Sequence, residues 1–92
     1  MAQKCAHVKE IRRVSPAAND VCPECVALGD DWVHLRWCRI CGHVGCCDSS
    51  KNKHATRHFN ETGHPIIQSL EPGEDWNWCY VDERMVNAPP GR

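Results

Sequence analysis

The stretch Cys38–His64, CRICGHVGCCDSSKNKHATRHFNETGH, decides how this chain folds. It holds Cys38, Cys41, His54 and His58, with twelve residues between the second Cys and the first His. That spacing, C-x2-C-x12-H-x3-H, is the one used by the two-Cys, two-His finger that reads DNA. Such a finger packs a small core around two apolar residues inside the intervening stretch. Gly45 and Lys51 stand at those places, and neither forms a core. A finger of that kind would also leave Cys5, His7, Cys22, Cys25, Cys46, His64 and Cys79 without work. The stretch therefore belongs to a larger metal-binding arrangement.

The chain has 92 residues, enough for one small domain. Its aliphatic supply is thin: three Leu, four Ile and eight Val, with a single Phe. A domain this poor in core residues needs a staple, either disulfides or a structural metal. Eight Cys and six His choose between them. Disulfides have no use for His, whereas zinc takes both Cys and His. The opening MAQKCAHVKE has no apolar run of the signal-peptide kind, so the expected location is cytoplasmic. No run approaches the roughly 18 apolar residues of a membrane span. The formal charge is −1, from 11 basic and 12 acidic residues. A domain that lives on phosphate contacts carries a basic surplus. Lys51, Lys53 and Arg57 form a local basic cluster, read as a solvated helix face rather than a nucleic-acid surface.

Local patterns predict a small α+β domain over residues 1–86, with 87–92 as a disordered tail. CPEC, Cys22–Cys25, reads as a tight knuckle stiffened by Pro23. DDWVHLRWC reads as a strand with Val33, Leu35 and Trp37 on one face and Trp32, His34, Arg36 and Cys38 on the other. CRICGHVGC reads as a second knuckle running into a strand. DSSKNKHATRHFNETG reads as a helix, with Asp48, Ser49 or Ser50 as N-cap and Gly63 as its stop. His54 and His58 then share one helix face. HPIIQSLE and WNWCYVDE read as paired strands around a PGED turn, and MVNAPPGR as a frayed end.

Taken in order, the motifs resemble the zinc finger of ubiquitin-specific proteases, the UBP-type finger, and most of all its small free-standing bacterial members. The matching features are Cys5 and His7, Cys22 and Cys25, then Cys38, Cys41 and Cys46. His54, His58, His64 and Pro65 follow, and finally Trp78, Cys79 and Tyr80. The resemblance implies three zinc ions, at least two, on interleaved ligands. One site takes Cys22, Cys25, Cys46 and His54; a second takes Cys38, Cys41, His58 and His64. The third joins the ends through Cys5, His7 and Cys79. There the family has a further Cys and this chain has Asp82, which zinc also accepts. That leaves a Cys-His-Cys-Asp zinc, a weaker zinc site, or no third zinc. Cys47 is read as a small buried filler beside Cys46. His43 is read as a turn or surface residue, and His34 as a surface or cleft residue.

Four protein ligands close a zinc site and make it structural, so no enzyme is expected. Only the Asp82 site offers a candidate open position, with Glu83 beside it. The resemblance implies protein interaction instead. Some family members hold the free Gly-Gly tail of ubiquitin between aromatic side chains, helped by an Arg. Trp32, Arg36, Trp78 and Tyr80 are the matching candidates for a peptide pocket. The assisting Arg belongs to a Gly-Arg-Tyr run, which here is Cys47-Asp48-Ser49. A carboxylate in that place repels a terminal carboxylate, which speaks against ubiquitin itself. The expected function is a noncatalytic zinc module that recognises a protein segment, with a C-terminal tail as the candidate. The alternatives are a purely structural zinc module, or nucleic-acid binding through Lys51, Lys53 and Arg57.

Overall fold

Short apolar runs separated by Cys-rich turns give short strands, and the structure, a computed structural model, shows them over the described residues 5–89. A 3-10 turn, Ala6–Glu10, comes first. Helix α1 spans Pro23–Leu28, β1 Leu35–Cys38 and β2 Val44–Cys46. Helix α2 spans His54–Thr62, followed by β3 Ile66–Ser69, β4 Asn77–Cys79 and β5 Arg84–Val86. The strands form one antiparallel sheet in the order β2-β1-β3-β4-β5. The α+β class with one main helix agrees with the sequence.

Register fixes which side chains share a sheet face. Arg36 lies opposite Ser69, Ile67 opposite Trp78, and Trp78 opposite Met85. Successive residues alternate faces, so Leu35, Trp37 and Ile66 turn the other way and are buried. One core cluster joins Leu35, Trp37, Val44 and Leu70 to Cys22, Cys25 and Cys46. A smaller one joins Ile66 to Cys5 and Cys79. Cysteines thus fill the places that aliphatic side chains hold in richer domains.

Helix α2 approaches β2 so closely that a Cβ on Gly45 would lie 2.6 Å from the Ala55 nitrogen. Gly45 therefore has to be Gly, where a finger of the DNA-reading kind needs an apolar side chain. The helix starts at His54, later than expected, and the residue before it is Lys53 with φ 48°. The expected caps are engaged elsewhere. Ser50 Oγ accepts the Val33 N–H at 2.8 Å, and Asp48 accepts the Thr56 hydroxyl. The helix ends where predicted, with the Gly63 N–H on the Phe59 carbonyl.

Three local expectations are corrected. CPEC opens helix α1 rather than forming a bare knuckle, because Pro23 suits the first helical position and Gly29 closes the turn with φ 72°. The first strand begins only at Leu35, since the chain before it bends to meet Ser50, and Val33 is exposed. The run MVNAPPGR is not all frayed: Met85 and Val86 pair with β4 as part of β5. Beyond them the Pro89 carbonyl accepts a bond from Arg39 at 2.6 Å. Residues 1–4 of the expected domain and 90–92 of the expected tail lie outside the described residues. No helix among the described residues is long and apolar enough to cross a membrane.

Candidate metal centres and aromatic cleft

Three groups of four ligand-type side chains converge, each with its donor atoms within 4.8 Å of one another. Cys22, Cys25, Cys46 and His54 make the first, and all four are buried. Helix α1 brings Cys22 and Cys25, β2 ends on Cys46, and His54 opens α2. The His54 Nδ1 lies 3.3 Å from the sulfurs of Cys22 and Cys25 and 3.5 Å from that of Cys46. The Cys25 and Cys46 sulfurs are 3.8 Å apart. A tetrahedral zinc with Zn–S of about 2.3 Å and Zn–N of about 2.0 Å has S···N edges of about 3.5 Å and S···S edges of about 3.8 Å. The donors therefore already stand at the corners of a zinc-sized tetrahedron. The His54 N–H points at Cys46 Sγ at 3.2 Å and the Asn52 amide at Cys25 Sγ at 3.6 Å, bonds that favour thiolate.

The second group is Cys38, Cys41, His58 and His64, and it is more open, with Cys41 exposed. His64 Nδ1 is 3.6 Å from Cys38 Sγ, and His58 Nε2 is 3.3 Å from Cys41 Sγ. His58, one helical turn after His54, serves this group while His54 serves the first. Burial, with the neighbouring His43 and His64, lowers the His58 pKa to about 4, which keeps the ring neutral as a metal ligand requires. His43 stacks on His58 with centroids 4.1 Å apart and bonds Glu24 of α1. It is thus more than a turn residue: it braces the second group against the first.

The third group joins the chain ends. His7 Nδ1 lies 3.6 Å from Cys5 Sγ, 3.5 Å from Cys79 Sγ and 3.5 Å from Asp82 Oδ2. The Asp82 N–H meets Cys79 Sγ at 3.4 Å. Asp82 and His7 are about 30% and 28% exposed, so this group opens to solvent. Burial pushes the Cys5 and Cys38 thiols up to about 11, so metal has to displace a proton at each.

The peptide-pocket candidates separate. Arg36, Trp78 and Tyr80 line one cleft of about 220 Å³ together with Trp76, Ile67, Met85 and Asp48. Trp32 lies elsewhere: it packs against the first core cluster and faces Leu70 and Pro72 in another depression. Trp76 is the residue that sequence reasoning missed. The Arg36 guanidinium lies 4.5 Å from the centroid of its ring and donates to the Leu35 carbonyl at 2.9 Å. On the far wall Tyr80 stacks on Phe59 at 4.7 Å, and the Thr56 hydroxyl joins the Tyr80 phenol to Asp48. Cys47 is buried and also lines the cleft. Burial raises the pKa of its thiol, but bonds from Ser50, the backbone and His34 outweigh this and bring it to about 7. His34 is exposed.

Residues 22–90 match the family described as "Zn-finger in ubiquitin-hydrolases and other protein". The chain belongs to this family. The solution NMR structure of a protein from Rhodopseudomonas palustris is similar over the whole chain and 94% of its own length, with 55% identity and a TM-score of 0.83. Human BRCA1-associated protein is 30% identical over 84% of this chain. Ubiquitin carboxyl-terminal hydrolase 44 of Ailuropoda melanoleuca is 29% identical over 91% of it. This chain spans 13% and 12% of those two proteins. The family and the three Cys/His-rich groups agree on zinc as the metal.

Proposed function

We propose that this chain is a noncatalytic, zinc-held interaction module that takes a peptide tail in the cleft of Arg36, Trp76, Trp78 and Tyr80. Zinc sits on Cys22, Cys25, Cys46 and His54, on Cys38, Cys41, His58 and His64, and on Cys5, His7, Cys79 and Asp82. These ions are structural, because four protein donors leave no place for a reacting water. Residues 1–86 act as one domain, and reduced thiols suit a cytoplasmic location.

The observation that carries this reading is the row of aromatic side chains beside Arg36. Trp76, Trp78 and Tyr80 alternate with Asn77 and Cys79, which are buried on the opposite face. Flat side chains lining the cleft, with a guanidinium laid on the first of them, suit a thin, extended peptide backbone. Arg36 is the cleft's cation and supplies the pairing that the missing family Arg would have given a terminal carboxylate. Asp48, held by Thr56, lines the same cleft, so the attraction of Arg36 for a carboxylate is set against a repulsion that weakens it. The basic cluster favours no nucleic acid. Lys51 pairs with Asp30 at 3.4 Å, and Arg57 with Glu61 at 3.7 Å.

The test is a titration of isotope-labelled, zinc-loaded protein with Gly-Gly-ending peptides, each as free acid and as amide. Saturable shifts at the Trp76 and Trp78 indole N–H signals are expected. Stronger binding of the free acid assigns Arg36 as the carboxylate partner. An absence of shifts at millimolar peptide rejects tail recognition and leaves a purely structural module.

A further inference from the structure

Away from the metal groups and the cleft, three arginines share one depression. Arg12, Arg13 and Arg39 line it with Ile11, Val14, Ser15 and Pro89, and it encloses about 660 Å³. Arg39 is only 2% exposed. It donates to the side-chain oxygens of Gln68 at 2.9 Å and Asn77 at 2.7 Å and to the Pro89 carbonyl, all neutral acceptors. Its Nε has no hydrogen-bond partner, and its far side lies over the Trp37 ring at 5.3 Å. Among the described residues no carboxylate pairs with Arg12, Arg13 or Arg39.

A buried cation is normally paired, because a charge held away from water is costly. Here a buried guanidinium has two more at its mouth and no anion. The segment that carries them is also fixed. The Arg12 N–H bonds the Arg39 carbonyl at 2.9 Å, and the Ala17 N–H bonds the Gly42 carbonyl at 2.9 Å. A Cβ on Gly42 would lie 2.4 Å from the Ser15 carbonyl oxygen, so Gly42 is what lets this segment lie down. A preformed site loses less entropy on binding.

We propose that this depression is an anion site that takes a phosphate group, gripped by the forks of Arg12 and Arg13 over the buried charge of Arg39. A phosphate dianion offsets more of the three charges than a carboxylate does, and guanidinium forks meet its oxygens two at a time. The site lies apart from the aromatic cleft and stands whether or not the cleft takes a peptide.

The experiment is an NMR titration of the full zinc-loaded chain with inorganic phosphate and, separately, with O-phosphoserine, each against sodium chloride at equal ionic strength. Saturable shifts are expected at the amides of residues 12–15 and at the Arg39 Nε–H. The double variant Arg12→Gln/Arg13→Gln changes exposed side chains and keeps the fold; it should bind at least about tenfold more weakly. A preference for O-phosphoserine assigns the phosphate to a phosphorylated partner, and equal binding assigns the group itself. Shifts that sodium chloride reproduces, or a double variant that binds as tightly as the parent, overturn the proposal.

Discussion

The first and third metal groups use almost the same donors in opposite settings. Cys22, Cys25, Cys46 and His54 lie inside the larger core cluster, between both helices and the sheet. Cys5, His7, Cys79 and Asp82 lie where the chain's ends meet, with two of the four donors open to water. Cysteines are core residues in the first case and a clasp in the second. The family match begins at residue 22, so Cys5 and His7 reach the third group from outside it.

The largest expected effect tests this contrast at its strong end. Structural zinc contributes roughly 10–16 kcal/mol of apparent binding free energy. A fully buried Leu or Val contributes about 1.5–3 kcal/mol, and few are present. Complete chelation at neutral pH should therefore abolish the cooperative unfolding transition and the near-ultraviolet circular dichroism together. Cys46→Ser, which damages only the first group, should cost more than about 4 kcal/mol in a denaturant melt. A chelated protein that keeps its near-ultraviolet spectrum would show that packing alone holds the core.

Asp82→Ala tests the weak end. Native mass should count one zinc fewer than the parent, with the fold retained and a smaller stability loss than for Cys46→Ser. Asp82→Cys restores the commoner all-Cys/His donor set and should retain its third zinc against a stronger chelator. If Asp82→Ala unfolds the domain as fully as Cys46→Ser, the clasp is as central as the core site.

Acid should separate the groups in order. His58 has a pKa of about 4 in the fold against an ordinary value of 6.5. The unfolded chain therefore binds more protons between those values, and stability present above pH 6.5 is lost as pH falls through the window. The low His58 value delays protonation at the second group, so solvent access sets the order: stepwise acidification followed by native mass should empty the second and third groups, where Cys41 and Asp82 are exposed, before the fully buried first. Loss of all metals in a single step would erase the distinction.

The sequence made the donors legible because their types and spacings are chemical constraints that survive any detail of the fold. The interleaving came from the family resemblance, because spacing alone left His54 and His58, one turn apart on one helix face, able to share a single metal. Helix boundaries were less legible. Asp48 and Ser50 look like caps, but each bonds a distant group that only the fold supplies, Thr56 and Val33. Helix α1 hid inside CPEC because a single turn and a half carries too little periodicity to announce itself. Met85 and Val86 resembled a tail because a three-residue edge strand has no pattern apart from its partner β4. The cleft was half legible. Alternation along WNWCY places Trp76 with Trp78 and Tyr80, whereas the family resemblance pointed to Trp32.

The smallest expected effect on the fold decides between those two tryptophans. Trp32 follows α1 and the bend to Ser50, and that path carries it onto the core cluster that holds Leu35 and Leu70. Trp76 precedes β4 and holds Arg36 across its ring. Trp76→Ala should leave the melting transition nearly unchanged and weaken a Gly-Gly-ending peptide by about 2 kcal/mol, roughly thirtyfold, as for an aromatic hot spot. Trp32→Ala should do the reverse, lowering stability while sparing the peptide. Because Arg36 rests on Trp76, the loss in Trp76→Ala should be greater for the free-acid peptide than for the amide. Equal losses for both peptides would mean that the ring acts only as a flat wall. A peptide that weakens with Trp32→Ala and ignores Trp76→Ala would move the binding site to the depression beside Leu70 and Pro72.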